Sequence, residues 1–307
     1  VNAYILQITQ PLEMIGFAFR DIAEGMGFIE KMTNLFDQKR ETEYNEGRTP
    51  QITGAPSLTF ERVSYHYHPD RLVLKNVNFA MQSGKTTAIV GASGSGKSSL
   101  IRLLCRMLEP SEGRIRLDGV PLSNIRMSTL REAIAVVPQD IALFNDSIAY
   151  NIGFGRQHST YADVVEAAKV AHIHEFIVGL PDGYDTQVGE RGLKLSGGEK
   201  QRIAIARAAI KKPKIFVFDE ATSSLDSETE QAILRDLIRV TETTTTLIIA
   251  HRLSTVVHAD EIVMLNRGTV IEQGTHSELL LQNGAYAEMW RAQHTKNPLR
   301  NELAPTV

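Results

Sequence analysis

The sequence predicts an α/β protein with a mostly parallel sheet, an antiparallel β subdomain and a helical insertion. Three observations carry that expectation. Continuous apolar runs at residues 87–90, 134–137, 215–218 and 247–249 lack polar alternation, as strands covered on both faces do. Alternation around 58–67, the run 73–81, and 114–117 ahead of the turn pair Asp118-Gly119 read instead as antiparallel strands. Helical apolar spacing at 161–178 and 200–210 falls between the parallel-type runs at 134–137 and 215–218, which makes it an insertion.

Composition bounds what this fold can serve. With 307 residues and 42% hydrophobic content, the chain can bury a proper core. Its formal net charge of -3 comes from interspersed acids and bases, which supports neither a nucleic-acid surface nor an anionic-membrane surface. Any phosphate binding must therefore be local. Cys105 is the only cysteine, so an internal disulfide framework is excluded and a reducing compartment fits. No signal-peptide pattern is visible, and the chain begins at Val1 without an initiator methionine. It reads as a piece of a longer product.

Along the chain, Leu12, Ile15, Phe19, Ile22, Met26 and Ile29 fall three and four residues apart and share one stripe of a helix. Periodicity alone suits an amphipathic or coiled-coil helix in a soluble protein. Gly16, Gly25 and Gly27 complicate that reading, because small residues permit the close helix contacts of a membrane bundle. Glu13, Arg20, Asp21 and Glu24 break any 18-residue apolar run, so hydropathy does not make this a lipid-facing span. The polar-lined end of a span stays open. Residues 37–57 are charged and polar, with Gly47, Pro50, Gly54 and Pro56, and read as a linker.

Residues Gly91 to Ser98 match G-x-x-x-x-G-K-[ST] after a strand and before a helix, where that pattern cradles phosphate. The candidate ATP-binding residues are Gly91, Ser93, Gly94, Ser95 and Gly96 in the loop, with Lys97, Ser98 and Ser99 beginning the helix. Glycines let backbone N–H groups turn inward, Lys97 supplies a point charge, and Ser98 can ligate Mg²⁺. The strand 215–218 runs into Asp219 and Glu220, two carboxylates that a core tolerates only where the strand opens onto a cation. Asp219 is then the Mg²⁺-side acid, and Glu220 polarises the attacking water. Leu195, Ser196, Gly197, Gly198 and Glu199 precede a helical run, so they form a helix N-terminus whose N–H groups attract anions. Alone, that segment would be an ordinary N-cap.

The order of these segments resembles the ABC ATPase family, and Leu-Ser-Gly-Gly-Glu is a form of its signature sequence. The likeness covers Leu58 to Arg291 and implies a P-loop NTPase core. It also implies that Tyr67, with Tyr65 as the alternative, stacks on adenine. Gln139 would meet Mg²⁺ or water and sense a membrane domain, His251 would stand near the γ-phosphate, and Asp226 would lie in a loop crossing between subunits. Residues Gly189 to Gly192 (Gly-Glu-Arg-Gly) resemble a segment that exporters set near coupling helices. The stretch from Asp182 to Arg202 and the ending Gly284 to Trp290 look most like exporters of mitochondrial and heavy-metal type, whose relatives move glutathione-linked or porphyrin-like compounds. Pro11-Leu12 with Gly16 and Arg20 resembles the end of the last transmembrane helix of such proteins.

The expected organisation is a helix end at 1–36, a linker at 37–57, an ABC ATP-binding domain at 58–295 and a tail at 296–307. Expected cofactors are ATP and Mg²⁺. The expected partners are a second copy, with the signature acting in trans, and the chain's own membrane domain, with no nucleic acid. The expected place is the cytoplasmic side of a membrane, or the matrix side in a mitochondrion. A lipid or multidrug exporter of the same architecture is the alternative, followed by a soluble ABC ATPase acting on nucleic acid or ribosomes.

Overall fold

The computed structural model describes residues 2–37, 52–68, 70–190, 193–219, 244–250 and 252–295. Two compact units divide the chain, Val1–Glu46 and Gly47–Val307. The first contains α1 (Asn2–Phe36), a helix of 35 residues with Pro11 inside it. Ile15, Phe19, Ile22, Met26 and Ile29 of the apolar stripe are all more than half exposed. Among the described residues no helix is long and apolar enough to cross a membrane.

In the second unit the alternating stretch becomes β1 (Leu58–His68), which pairs antiparallel with β2 (Arg71–Met81). Next come β3 (Thr86–Val90), α2 (Lys97–Leu104), β4 (Glu112–Leu117) and β5 (Val120–Pro121). Strands β1, β2, β4 and β5 form an antiparallel sheet in the order β2-β1-β4-β5. Residues 52–57, the end of the stretch read as a linker, are tied to this unit. The Pro56 carbonyl accepts a hydrogen bond from Thr245 Oγ1 at 2.6 Å, and the Ser57 N–H donates to Asp118 Oδ1 at 2.7 Å.

The chain continues through α3 (Met127–Ala133), β6 (Ile134–Val137), α4 (Ile148–Gly153), α5 (Tyr161–Val170), α6 (His174–Val178) and α7 (Gly197–Ala209). After these come β7 (Ile215–Asp219), β8 (Thr245–Ile249), β9 (Glu261–Asn266), β10 (Thr269–Gly274), α8 (His276–Gln282) and α9 (Ala285–Thr295). The larger sheet has the order β10-β9-β3-β8-β7-β6, parallel except for the edge strand β10. The apolar spacing at 161–178 resolves into two helices, because His172 turns the backbone to φ 51° between them.

Burial on both faces explains the unbroken apolar runs. Along β7, Ile215 and Val217 pack with Leu58, Met81 and Leu100 toward the antiparallel sheet. Phe216 and Phe218 point the other way, into the core of α4, α5 and α7 with Ile148, Val164 and Ile203. A further cluster joins Ala88 and Val90 of β3 to Ala250, Leu253, Leu279 and Tyr286. Each fully buried phenylalanine contributes about 2–3 kcal/mol by area alone, so polar substitution anywhere in β7 would be severe.

Candidate functional site

Strand β3 delivers the glycine-rich loop, and two of its glycines are sterically required. A Cβ on Gly91, at φ +153°, would lie 2.1 Å from Leu265 O. One on Gly96, at φ +108°, would lie 2.6 Å from Leu74 Cδ2. The chain therefore passes closer to β9 and β2 than any side chain allows, and this sets the loop's curvature. Lys97 is 5% exposed, and its Nζ donates to the Gly91 carbonyl at 2.9 Å and the Ala92 carbonyl at 3.1 Å. Among the described residues the buried Ser95 hydroxyl has no hydrogen-bond partner. A buried ammonium, an orphaned hydroxyl and a cradle that a Cβ would fill together fit a polyphosphate. Ser93, Gly94 and Ser98 are exposed on the loop and at the helix start, and Ser99 is buried.

Burial distinguishes the two candidate tyrosines. Tyr65 is 8% exposed and packed in the core, whereas Tyr67 is 47% exposed. The Tyr67 hydroxyl accepts a hydrogen bond from Arg102 Nη1 at 3.0 Å and lies 3.4 Å from Ser99 Oγ. Its ring meets Tyr65 edge-on, with centroids 5.0 Å apart. The exposed ring is thus anchored to α2, the helix that begins at Lys97.

The parallel register aligns the rest. Ile89 of β3 is level with Ile249 of β8, and Ile249 is level with Asp219 of β7. Val137 of β6 is level with Phe218. The carboxyl ends of these strands share one edge, where ligands of open α/β sheets bind. Asp219 lies there two strands from β3, about 10 Å away at the usual interstrand spacing. Gln139 is exposed in the bend just past β6 on the same edge. Glu220, Asp226 and His251 lie outside the described residues. Glu220 directly follows β7, and His251 follows β8 after Ala250.

Ser196 caps α7 through a reciprocal box. Its Oγ accepts the Glu199 N–H at 3.3 Å, and Glu199 Oε2 accepts the Ser196 N–H at 2.7 Å. Leu195 is buried as an anchor, while Ser196 and Gly197 are exposed and Gly198 and Glu199 half-buried. First-turn N–H groups of a helix lack intrahelical acceptors, and two glycines leave them open to an anion. Helix α7 packs on β6, which is three strands from β3.

Sequence reasoning missed a polar cluster that links α7 to the segment after Gln139. Arg207 Nε donates to the Asn151 carbonyl at 2.8 Å, Nη2 to Asn151 Oδ1 at 2.8 Å and Nη1 to the Ala142 carbonyl at 3.0 Å. The fully buried Asn151 in turn holds Phe144 through both its N–H and its carbonyl. Burial lowers the Arg207 pKa, yet a guanidinium stays charged. Residues 186–188 join the same structure, with Val188 N–H on Asp146 O at 2.9 Å and Ile148 N–H on Thr186 O at 3.0 Å. No period or motif marks such a cluster, because Arg207 reads in sequence as an exposed helix residue.

The family model described as ABC transporter matches residues 74–223, which span the glycine-rich loop Gly91 to Ser98, the segment Leu195 to Glu199 and β7. This chain contains an ABC transporter domain. That domain has an ABC ATPase fold, which implies ATP binding. The ABC ATPase domain resembles that of the "ATM1-type heavy metal exporter" of Novosphingobium aromaticivorans, 47% identical over 304 residues, 99% of this chain and 50% of that protein. The "Iron-sulfur clusters transporter atm1, mitochondrial" of Neurospora crassa is 44% identical across 95% of this chain and 42% of its own length. A solved bacterial Atm1-family ABC exporter with ATP bound superposes with a TM-score of 0.78 at 47% identity, over 95% of this chain and 52% of that one. The chain thus spans about half the length of the relatives it matches, or less.

Proposed function

We propose that this chain is the ATP-hydrolysing part of a homodimeric exporter of the Atm1 type. One observation carries the reading. The exposed, capped N-terminus of α7, at Ser196 and Gly197, belongs to a helix three strands from the phosphate loop of its own chain. An anion-seeking helix end that faces solvent serves the ATP of a second copy, which closes head to tail against the first. Tyr67 stacks on adenine, residues 91–99 hold the phosphates, and Asp226 crosses toward the partner.

Glu220 draws a proton from water as the water oxygen bonds to the γ-phosphorus. The bond to the β–γ bridging oxygen breaks, and ADP and phosphate leave. His251 and Gln139 orient the γ-phosphate and the water. Ser98, Gln139 and Asp219 are the residues that would hold Mg²⁺, which neutralises charge on the phosphate oxygens.

Coupling to a membrane domain has its own support. Phe144, Tyr150 and Phe154 are 40%, 47% and 58% exposed and meet edge-on or tilted, with the Phe144 and Phe154 centroids 4.4 Å apart. This patch is fastened through Asn151 and Arg207 to both Gln139's segment and α7. A membrane domain seated there would feel closure around ATP. The cargo class follows the relatives' names, a metal-related or glutathione-linked small molecule, and the site of action is the cytoplasmic or matrix face of a membrane. A lipid or multidrug cargo would leave the ATPase chemistry unchanged.

The reading is tested with Glu220→Gln, which removes the water-polarising charge and keeps the cradle. Phosphate release falls about 10²- to 10⁴-fold, ATP stays bound, and ATP drives dimerisation in light scattering. Turnover within about twofold of the parent would move the base elsewhere. A chain that stays monomeric with saturating ATP would contradict the dimer.

A further inference from the structure

We propose that Arg102, in the last turn of α2, is a positioning residue for ATP binding. It holds the Tyr67 ring in place beside the glycine-rich loop and so sets the affinity for the base half of the nucleotide. The proposal rests on the reading of Tyr67 as the group that stacks on adenine. Arg102 Nη1 donates to the Tyr67 hydroxyl at 3.0 Å, and Ser99 Oγ lies 3.4 Å from the same hydroxyl. Both contacts come from α2, whose first residue is Lys97. The ring is thus tied to the helix that carries the buried ammonium.

The strand backbone does not fix that ring by itself. Pairing of β1 with β2 aligns Tyr65 with Leu74, His66 with Leu72 and His68 with Arg71, and the register shifts between Tyr65 and His66 and again between His66 and His68. Irregularities of this kind re-aim side chains. Here they leave Tyr67 47% exposed beside the buried Tyr65, which meets its ring edge-on. The far end of the ring, the hydroxyl, is left to α2. That helix is a firm anchor, because Leu100, Ile101, Leu103 and Leu104 sit in the core while Arg102 between them is exposed. A side chain already ordered before the ligand arrives spares part of the ordering cost of binding. Loss of the Arg102 donor frees the ring, and freeing one side chain is expected to weaken binding about three- to tenfold.

The test measures Mg-ATP affinity by calorimetry in the 307-residue chain. Arg102→Met keeps the stem and removes the donor, and Tyr67→Phe keeps the ring and removes the acceptor. Each weakens Mg-ATP binding about three- to tenfold. The double variant is weaker than either single variant by less than about twofold, because both substitutions remove one bond. Inorganic tripolyphosphate, which has no base, binds Arg102→Met within about twofold of the parent, a split that a general loss of structure would not give. Arg102 is exposed, so its replacement leaves the core intact. Three results overturn the positioning role and leave the reading of Tyr67 intact: parental ATP affinity in either single variant beside a weak Tyr67→Ala, two losses that multiply, or an equal loss of ATP and tripolyphosphate in Arg102→Met. Parental ATP affinity in Tyr67→Ala overturns both.

Discussion

Lys97 and Cys105 flank α2, both nearly out of solvent, and their surroundings give them opposite chemistry. Lys97 is met by two loop carbonyls, so its ammonium is held ready for an anion. Cys105 is packed among apolar neighbours, and burial pushes its thiol up from 9.0 to about 11. The thiolate is the reactive form, so Cys105 labels with a maleimide at pH 7.5 at least about 10²-fold more slowly in the native chain than in urea. Native labelling within about tenfold of the urea rate would contradict that burial. The sign for stability follows, because the unfolded thiol loses its proton first. This contribution is complete below pH 9.0 and is lost as pH climbs toward about 11. The sequence alone left Tyr65 and Tyr67 both open, since each fits a strand. Exposure separates them, and exposure depends on what α2 covers, which no local pattern states.

At the scale of elements, the doubly covered strands were legible because both-sided burial leaves an unbroken apolar run, as Ile134–Val137 and Ile215–Asp219 do. The hairpin of β9 and β10 escaped. Its turn is Arg267-Gly268, at φ 47° and 82°, and arginine is an uncommon choice at a positive-φ turn position. The break between α5 and α6 escaped for a similar reason. His172 adopts positive φ where neither glycine nor proline gives warning. Least legible was the joint between α7 and the Gln139 segment, which consists of side chains meeting backbone far away in sequence. Replacing Arg207 by Leu leaves the Asn151 and Ala142 carbonyls without their donor, at a cost of about 2 kcal/mol. Calorimetry should show Tm lower by about 4–8 °C. An unchanged Tm would mean that the joint carries no stability.

For the whole molecule, the glycine-rich loop, Asp219 and Gln139 share one sheet edge, and Ser196 begins an exposed helix end on α7, which packs on β6, the strand that leads to Gln139. Motif order in the sequence already suggested a composite site, because the signature segment is a plain N-cap unless an anion is brought to it. A hybrid dimer tests whether such a site forms. One heterodimer, purified by two tags, pairs a Lys97→Ala chain with a Ser196→Arg chain. The other pairs an unaltered chain with a Lys97→Ala/Ser196→Arg double variant, so both carry the same substitutions. If Ser196 serves the partner's ATP, the first hybrid keeps one intact composite site and the second keeps none. Single-turnover hydrolysis is then faster in the first. Faster hydrolysis in the second would mean that each chain completes its own site, which contradicts the account.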